Sequence, residues 1–433
     1  MKSEKLEITA SKELIKLSKE FEKNGARLYF VGGKVRNTLF DLPCQDLDIT
    51  SSLKPDHVLS ICKKLKFNAK IVNEKLGTVL IQTKNESFEY TCFRLENYPK
   101  GGEHIPSKTE FIEDIKLDAN RRDFTINAIY LDILSGELYD PFKGLKDIKK
   151  KRLKAILSPK QVFENDGLRL LRLIRFSTTY GLVIDRKTLK CAKKFNYQLK
   201  DISKERTLKE LKQIVSADLT YNLKSPKTFV DLLNYLDIYQ YIFNDKFKGF
   251  KLNLPKDYFD IPNDFRYYYF NILVLNTYLK NEIKHKNDIA SISSELLGAS
   301  GLKDSNENIR NITDLYFIYQ YKNSFKDLSN REQVKVIIEY NKLNANLKSF
   351  FENFKKFNDQ IKNKIEDMEN RNIPTSISSL KISNKDLLAL KIDPKYISQI
   401  RESLFIKCAN EKLENTKREL SLMAIELERE CRN

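Results

Sequence analysis

Two aspartates one residue apart, Asp46-Leu47-Asp48, are the residues of this chain best suited to chemistry. In a strand the period of two puts both carboxylates on one face, roughly 7 Å apart at Cα. Paired hard oxygen donors suit Mg²⁺ shared with substrate phosphates, a recurrent arrangement in phosphoryl transfer. Ten residues before Asp46 stands Arg36, after the turn Gly32-Gly33. The apolar run Leu28 to Val31 reads as a buried strand, Gly33 lets backbone approach a ligand closely, and a helix is predicted from Lys34. Its N-terminal amides and the Arg36 guanidinium would face the oxygens of a triphosphate. A Gly-Gly turn alone is also an ordinary turn, and Asp-x-Asp alone a solvated strand edge; the information lies in their order.

Three further segments carry polar chemistry. In the strand-like SFEYTCFR, Glu89 shares a face with Thr91 and Phe93 and is either a third acidic group near the metal or an exposed strand residue. In Asn120-Arg121-Arg122-Asp123-Phe124-Thr125-Ile126-Asn127-Ala128, Arg122 can neutralise charge developing on a triphosphate, while Asp123 and Asn127 can bond a ribose 2′-hydroxyl. The plainer reading is a basic helix start with Asp123 as its N-cap. From Asp166 to Phe176, helical spacing aligns Leu170, Leu173 and Ile174 in an apolar stripe and fans Arg169, Arg172 and Arg175 over about 120° on the other side. This is either a solvated basic helix with an Asp166–Arg169 ion pair or a base reader. A carboxylate accepts from the exocyclic amine of cytosine or adenine and a guanidinium donates to the adjacent ring nitrogen; guanine and uracil present the reverse polarity. Each mispaired buried group costs roughly 1 to 3 kcal/mol, enough to select bases without a template.

The elements that must hold these residues divide by pattern. Residues 1 to 150 alternate short strand-like and helical segments, a mixed α/β domain. From Ser158 the chain reads as helical, with FENDGLRLLRLIRFSTTYG stopping at Gly181 and ISKERTLKELKQIVSA following. LNLPKDYFDIPNDF at 250 to 265 reads as a boundary, and NIPTS at 372 to 376 breaks the later helices. The 433 residues, 41% of them hydrophobic, suffice for several folded domains. A net charge of +18 favours a polyanion, nucleic acid foremost, although Lys-rich composition alone gives the same balance. Six scattered cysteines without a C-x-x-C pair indicate neither zinc ribbon nor disulfide framework, and the three histidines, none followed by Asp, exclude a His-rich metallohydrolase site. No apolar run of membrane length and no hydrophobic signal core occur, so a cytoplasmic home is expected.

The order G-G-x-V-R then D-x-D resembles the signature of the tRNA nucleotidyltransferase (CCA-adding enzyme) and bacterial poly(A) polymerase family, G-G-x-V-R-D followed by D-x-D. RRDFTINA is similar to a family motif almost letter for letter, DPFKG to its D-P-F-G-G linker, and Asp166 to Arg169 to its E-D-x-x-R. Asn37 stands for the usual Asp, Asp41 for Gly and Asn165 for Glu; the first removes a salt-bridge partner of Arg36. The resemblance spans residues 26 to 240 and, more faintly, 378 to 421. It implies an α/β N-terminal nucleotidyltransferase domain of the polymerase-β-like kind at 1–150. An all-α neck at 151–250, a body at 251–375 and a tail at 376–433 would follow. It further implies addition of CCA to tRNA 3′ ends from CTP and ATP. Asp46 and Asp48 would hold Mg²⁺, Gly33, Arg36 and Arg122 the phosphates, Asp123 the ribose, and Asp166 and Arg169 the base, with Arg172 and Arg175 as the motif's following arginines. Residues 94–111 would form a mobile loop that helps switch nucleotide choice, and 202–211 a helix packed behind the base reader. A poly(A) polymerase, a split CC- or A-adding enzyme and a non-catalytic RNA-binding protein remain open.

Overall fold

A computed structural model describes residues 5, 6, 10–43, 47–98, 106–280, 282, 285–297 and 303–432. The chain forms two compact units, Met1–Asn253 and Leu254–Asn433. The first opens with α1 (Lys12–Lys23), where Ser11 accepts from the Leu14 amide, and Leu14, Leu17 and Phe21, at helical spacing, are buried. Then come β1 (Tyr29–Val31), α2 (Gly33–Leu39), β2 (Asp48–Ser51), α3 (Pro55–Leu65), β3 (Asn68–Asn73), β4 (Thr78–Gln82) and β5 (Ser87–Cys92). A separate hairpin, β6 (Arg94–Asn97) and β7 (Lys108–Phe111), precedes α4 (Ile115–Asn120), a 3₁₀ turn (Thr125–Asn127), β8 (Tyr130–Asp132) and β9 (Leu138–Tyr139).

Seven strands form one sheet in the order β3-β4-β5-β2-β1-β8-β9. All neighbours are antiparallel except β2 and β5, whose parallel register sets Asp48 opposite Glu89. Phe88, Tyr90 and Cys92 are buried, and the Tyr90 ring lies 5.7 Å from that of Phe21 in α1. Alternation therefore turns Glu89 to the face away from α1, and in-register pairing puts Asp48 there too. Phe93, expected to share that strand face, lies between β5 and β6 and is buried.

The chain continues through α5 (Gly144–Lys149), β10 (Arg152–Leu153), α6 (Pro159–Asn165), α7 (Leu168–Thr179), β11 (Val183–Ile184), α8 (Arg186–Lys194), α9 (Lys204–Ile214), α10 (Ala217–Tyr221) and α11 (Phe229–Leu236). Gly181 ends α7 with φ +61°, as the sequence predicts. α7 packs against α6, α9, α10 and α11 and is buried nearly all round, Arg169 included. The expected open cationic face is thus absent, because Arg172 and Arg175 meet Asp123 and Glu210 while Arg169 is held by backbone carbonyls. Gly167 admits this packing: a Cβ there would stand 2.2 Å from the Gln198 carbonyl oxygen.

The second unit is helical, from Asn263–Tyr278 to Lys417–Arg432, around a cluster in which the rings of Tyr269, Tyr319, Phe350 and Phe354 meet at 5.2 to 5.9 Å. Among the described residues the cysteines are unpaired, and no helix is long and apolar enough to cross a membrane.

Candidate active site

The turn after β1 brings the first two constellations together. Gly32 has φ +67°, a conformation that costs an L side chain steric strain, and its Cα faces the site: a Cβ would lie 3.6 Å from Asp48 Oδ2 and 3.9 Å from Arg122 Nη1. One carboxylate and one guanidinium thus flank the start of α2. Asp46 lies outside the described residues, and Glu89 stands in register beside Asp48. No group of three His, Cys, Asp or Glu that could hold a metal occurs among the described residues. Asp48 and Glu89, paired in register, carry hard oxygens of the kind a divalent ion takes, with Asp46 two residues from Asp48 in sequence.

Arg36 differs from its expected placement facing the triphosphate. Its guanidinium is buried over the rings of Phe176 and Tyr180, at 5.0 and 4.6 Å. Nη1 donates to Asn127 Oδ1 at 2.6 Å, and Nε and Nη2 donate to Asn37 Oδ1 at 3.3 and 3.1 Å. Asn37 therefore supplies the acceptor that an aspartate would. Its Oδ1 also accepts from the Tyr180 hydroxyl at 2.8 Å, and its Nδ2 donates to the Tyr221 hydroxyl at 2.6 Å and the Pro43 carbonyl at 2.8 Å. An aspartate could not make the last two bonds as a donor.

The Arg121-Arg122-Asp123 segment closes α4 and leads into the 3₁₀ turn, so Asp123 caps no helix; Asp114 is the N-cap of α4. Asp118, fully buried, accepts from Arg121 Nε at 2.7 Å, the Tyr130 hydroxyl at 2.6 Å, Arg122 Nη2 at 3.4 Å and the Arg94 amide at 3.1 Å. Burial alone would raise its carboxyl, but Arg121, Arg122 and the Tyr130 hydroxyl outweigh that and bring it down to about 2. Arg122 also donates from Nε to Tyr130 at 2.9 Å, which fixes its plane while Nη1 points toward Gly32. Asp123 accepts from Asn127 Nδ2 at 2.8 Å and pairs with Arg172 Nη2 at 2.7 Å. Burial opposes its charge, yet Arg172 and the Asn127 amide hold its carboxyl far below the usual carboxylate range. Arg36, Asn127, Asp123 and Arg172 thus form one chain of charge-assisted bonds from α2 to α7.

Asp166 and Arg169 do not pair with each other. Asp166 Oδ1 accepts from the Leu168 amide at the start of α7 at 3.0 Å, and Oδ2 meets Arg206 Nη2 of α9 at 3.1 Å. Arg169 donates to the Arg121 carbonyl at 2.7 Å and the Val162 carbonyl at 3.4 Å, two of the five N–H groups a guanidinium carries. Arg175 is held by Glu210, at 2.8 Å from Nε. Beside them, at the root of residues 99–105, which lie outside the described residues, the Tyr98 hydroxyl donates to Glu96 at 2.6 Å. Glu96 accepts from Arg94 at 2.7 Å and stands 3.5 Å from Arg121.

Asp118, Glu96, Arg206 and Glu210 are site-supporting residues that motif reading missed, while Asn37, read there as the loss of a salt-bridge partner, accepts from Arg36 instead. Only Asp118 carried a local signal, lying three and four residues before Arg121 and Arg122 on one helix face. Glu96 reaches Arg121 from another segment, and Arg206 and Glu210 lie on the 202–211 helix expected behind the base reader, although no spacing singled out these two side chains.

The sheet with its Gly-turn and Asp48 forms a head domain that is followed by a helical remainder. Residues 28–154 match the poly A polymerase head domain family. The chain is similar to CCA-adding enzymes. That of Ligilactobacillus salivarius is 31% identical over 264 residues, 58% of this chain and 62% of the relative. That of Enterococcus faecalis is 34% identical over 208 residues, 48% and 50%. The matched stretch thus spans between half and about three fifths of these relatives' own length. In fold the likeness extends over nearly the whole chain. The Bacillus stearothermophilus CCA-adding enzyme, solved in complex with CTP, superposes with a TM-score of 0.65 at 19% identity, covering 97% of this chain and 98% of that one. The Thermotoga maritima CCA-adding enzyme complexed with tRNA gives 0.57 at 18%, covering 96% and 95%.

Proposed function

We propose that this protein is a template-independent RNA nucleotidyltransferase that adds CCA to tRNA 3′ ends from CTP and ATP in the cytoplasm. The observation that carries the reading is one hydrogen bond. Arg169, the proposed base reader, donates to the carbonyl of Arg121, and the next residue, Arg122, points across Gly32 toward Asp48. In this reading one short segment, Arg121-Arg122, links the base reader to the phosphate contact beside Asp48.

Asp46 and Asp48 are the residues to hold Mg²⁺, with Glu89 as a neighbouring oxygen donor. When bound, the ion supplies activation of the RNA 3′-hydroxyl and charge relief on the pyrophosphate leaving group. Backbone at Gly32 and Gly33 gives the phosphates close approach, and Arg122, kept charged and oriented by Asp118 and Tyr130, donates to their oxygens. Asp123 and Asn127 accept and donate at the ribose, braced by Arg172 and Arg36. Asp166 accepts the exocyclic amine of cytosine or adenine and Arg169 donates to the ring nitrogen beside it. Arg36, Arg172 and Arg175 act as positioning residues in this scheme. In this reading the catalytic head is 1–150, the neck 151–250, the body 251–375 and the tail 376–433, and the division of the chain into compact units at Asn253 and Leu254 supports the boundary near 250.

The test is incubation with Mg²⁺, CTP, ATP and a tRNA lacking its 3′ end. The product should lengthen by three nucleotides, in the order C, C, A. A long adenosine tail that ignores CTP would make the chain a poly(A) polymerase. Addition of only CC, or only A to a CC end, would mark a split activity, and no addition by protein that still binds tRNA would mark an RNA-binding protein.

A further inference from the structure

Helix α8 reads Arg-Lys-Thr-Leu-Lys-Cys-Ala-Lys-Lys from Arg186 to Lys194. At about 100° per residue, Arg186, Lys187, Lys190, Lys193 and Lys194 fall within an arc of roughly 120°. All five are exposed, while Thr188 and Ala192 on the opposite side are buried. Five cations on nine residues without an acidic residue repel one another, and only Lys193 and Lys194 meet an aromatic ring, of Tyr235 and Phe195, among the described residues. Among the described residues none of the five pairs with a carboxylate: Asp185 caps the helix through the Lys187 and Thr188 amides, and Glu164 of the adjoining α6 meets Lys160.

The stripe runs into a cavity of about 500 Å³ on the same side of the first unit, where Lys193 is joined by Lys227 and Lys251 around Tyr235 and Asn234. Lys193 Nζ lies 4.7 Å and Lys227 Nζ 5.6 Å from the Tyr235 ring centroid. Lys251 donates to the Asn234 carbonyl. The one carboxylate lining the cavity, Asp231, accepts from the Thr228 amide and hydroxyl at 2.9 Å each. A ring with two ammonium groups over it holds cations and does not offer a face for a base to stack on. The ligand class it fits is a run of phosphates. The stripe from Arg186 to Lys193 extends roughly 10 Å along the helix axis, longer than a single phosphate needs.

We infer that the α8 stripe and the Lys193–Lys227–Lys251 cavity form a binding site for the phosphodiester backbone of duplex RNA, separate from the nucleotide site. The inference rests on the proposed tRNA substrate, and the nearest stem of that substrate is its ligand. The site recognises backbone charge and not sequence, because lysines over an aromatic ring carry no base-reading geometry.

The test replaces Lys190, Lys193, Lys227 and Lys251 together by Gln in the full chain. Affinity for a tRNA lacking its 3′ end is measured by fluorescence anisotropy across a range of salt, and transfer kinetics are measured in parallel. The variant should bind at least about tenfold more weakly, with a slope of log affinity against log salt shallower by roughly 3. The KM for tRNA should rise while kcat stays unchanged. The four Lys→Arg replacements should keep wild-type affinity, and Tyr235→Phe should do so as well. A Gln variant that folds, transfers nucleotides and binds tRNA with the wild-type slope would overturn the site and leave the proposed activity standing. A wild type that neither binds tRNA nor transfers nucleotides would overturn both. Displacement of tRNA by polyglutamate as readily as by duplex RNA at equal charge would assign the face to an acidic protein instead.

Discussion

Asp118 carries more of this site than any residue that touches substrate in the proposed scheme. It is fully buried, orients Arg121, Arg122 and Tyr130, and is charged well below the usual range. A carboxyl whose folded value lies below its unfolded one adds stability above the unfolded value and loses it as pH falls through the folded one. From the ordinary 3.8 to about 2, this is worth roughly 2 kcal/mol. Urea unfolding at stepwise lower pH should show that loss in the wild type between about pH 4 and pH 2. Asp118→Asn should be destabilised at neutral pH and should lack this part of the acid dependence; an unchanged acid profile would contradict the assignment. Asp48→Ala should abolish nucleotide transfer yet leave tRNA affinity near that of the wild type, since it removes a metal donor and none of the basic surface. Retained turnover would remove Asp48 from the metal site. Arg169→Ala should raise incorporation of UTP and GTP relative to CTP and ATP. If all four fall in proportion, the residue only anchors α7 to the Arg121 carbonyl.

At the scale of turns and helices, two positions where relatives of the resembled family carry glycine show why they do. Asp41, after α2, has φ +55°, and Lys143, before α5, has φ +61°, both left-handed. Aspartate tolerates this region better than most residues, lysine does not. Lys143→Gly should therefore raise stability by roughly 0.5 to 1 kcal/mol after allowing for the flexibility glycine adds to the unfolded chain. A higher melting temperature with unchanged transfer would show it, and a lower one would mean that Lys143 makes contacts worth more than its strain. Gly167→Ala, by contrast, should lower stability sharply, because the Gln198 carbonyl blocks the new methyl. These elements also mark how far sequence reading reaches. The strand before Gly32, the helix from Leu168 to its stop at Gly181 and the helix after Ser203 were legible because periodicity and caps are local. The environment of α7 was not. Its arginines read as a solvent-facing fan, and what neutralises them comes from Asp123 and Glu210, tens of residues away in the chain. Arg36 was misplaced for the same reason, since Phe176 and Tyr180 reach it from the far end of the first unit's motif order.

Across the whole molecule, the two units each own a core. The second is built on aromatic rings, with Tyr269 at the centre of contacts to Tyr258, Tyr319, Phe350 and Phe354. Residues 254–433 expressed alone should be helical and unfold cooperatively in urea, as follows from a self-contained core. A non-cooperative transition would show that this unit depends on the first.

Asn37 has a consequence for how such proteins exchange parts. Its amide is read at both ends, as acceptor by Arg36 and Tyr180 and as donor to Tyr221 and Pro43. Positions 37, 180 and 221 therefore form one hydrogen-bonded set. A chimera joining a relative's head, with aspartate at this position, to these helices would keep an acceptor for Arg36 and Tyr180 but lose the Nδ2 donor to Tyr221, whose hydroxyl would have to supply the proton itself. Restoring the commoner residue here is not a repair, and grafts should prosper only when the three positions travel together.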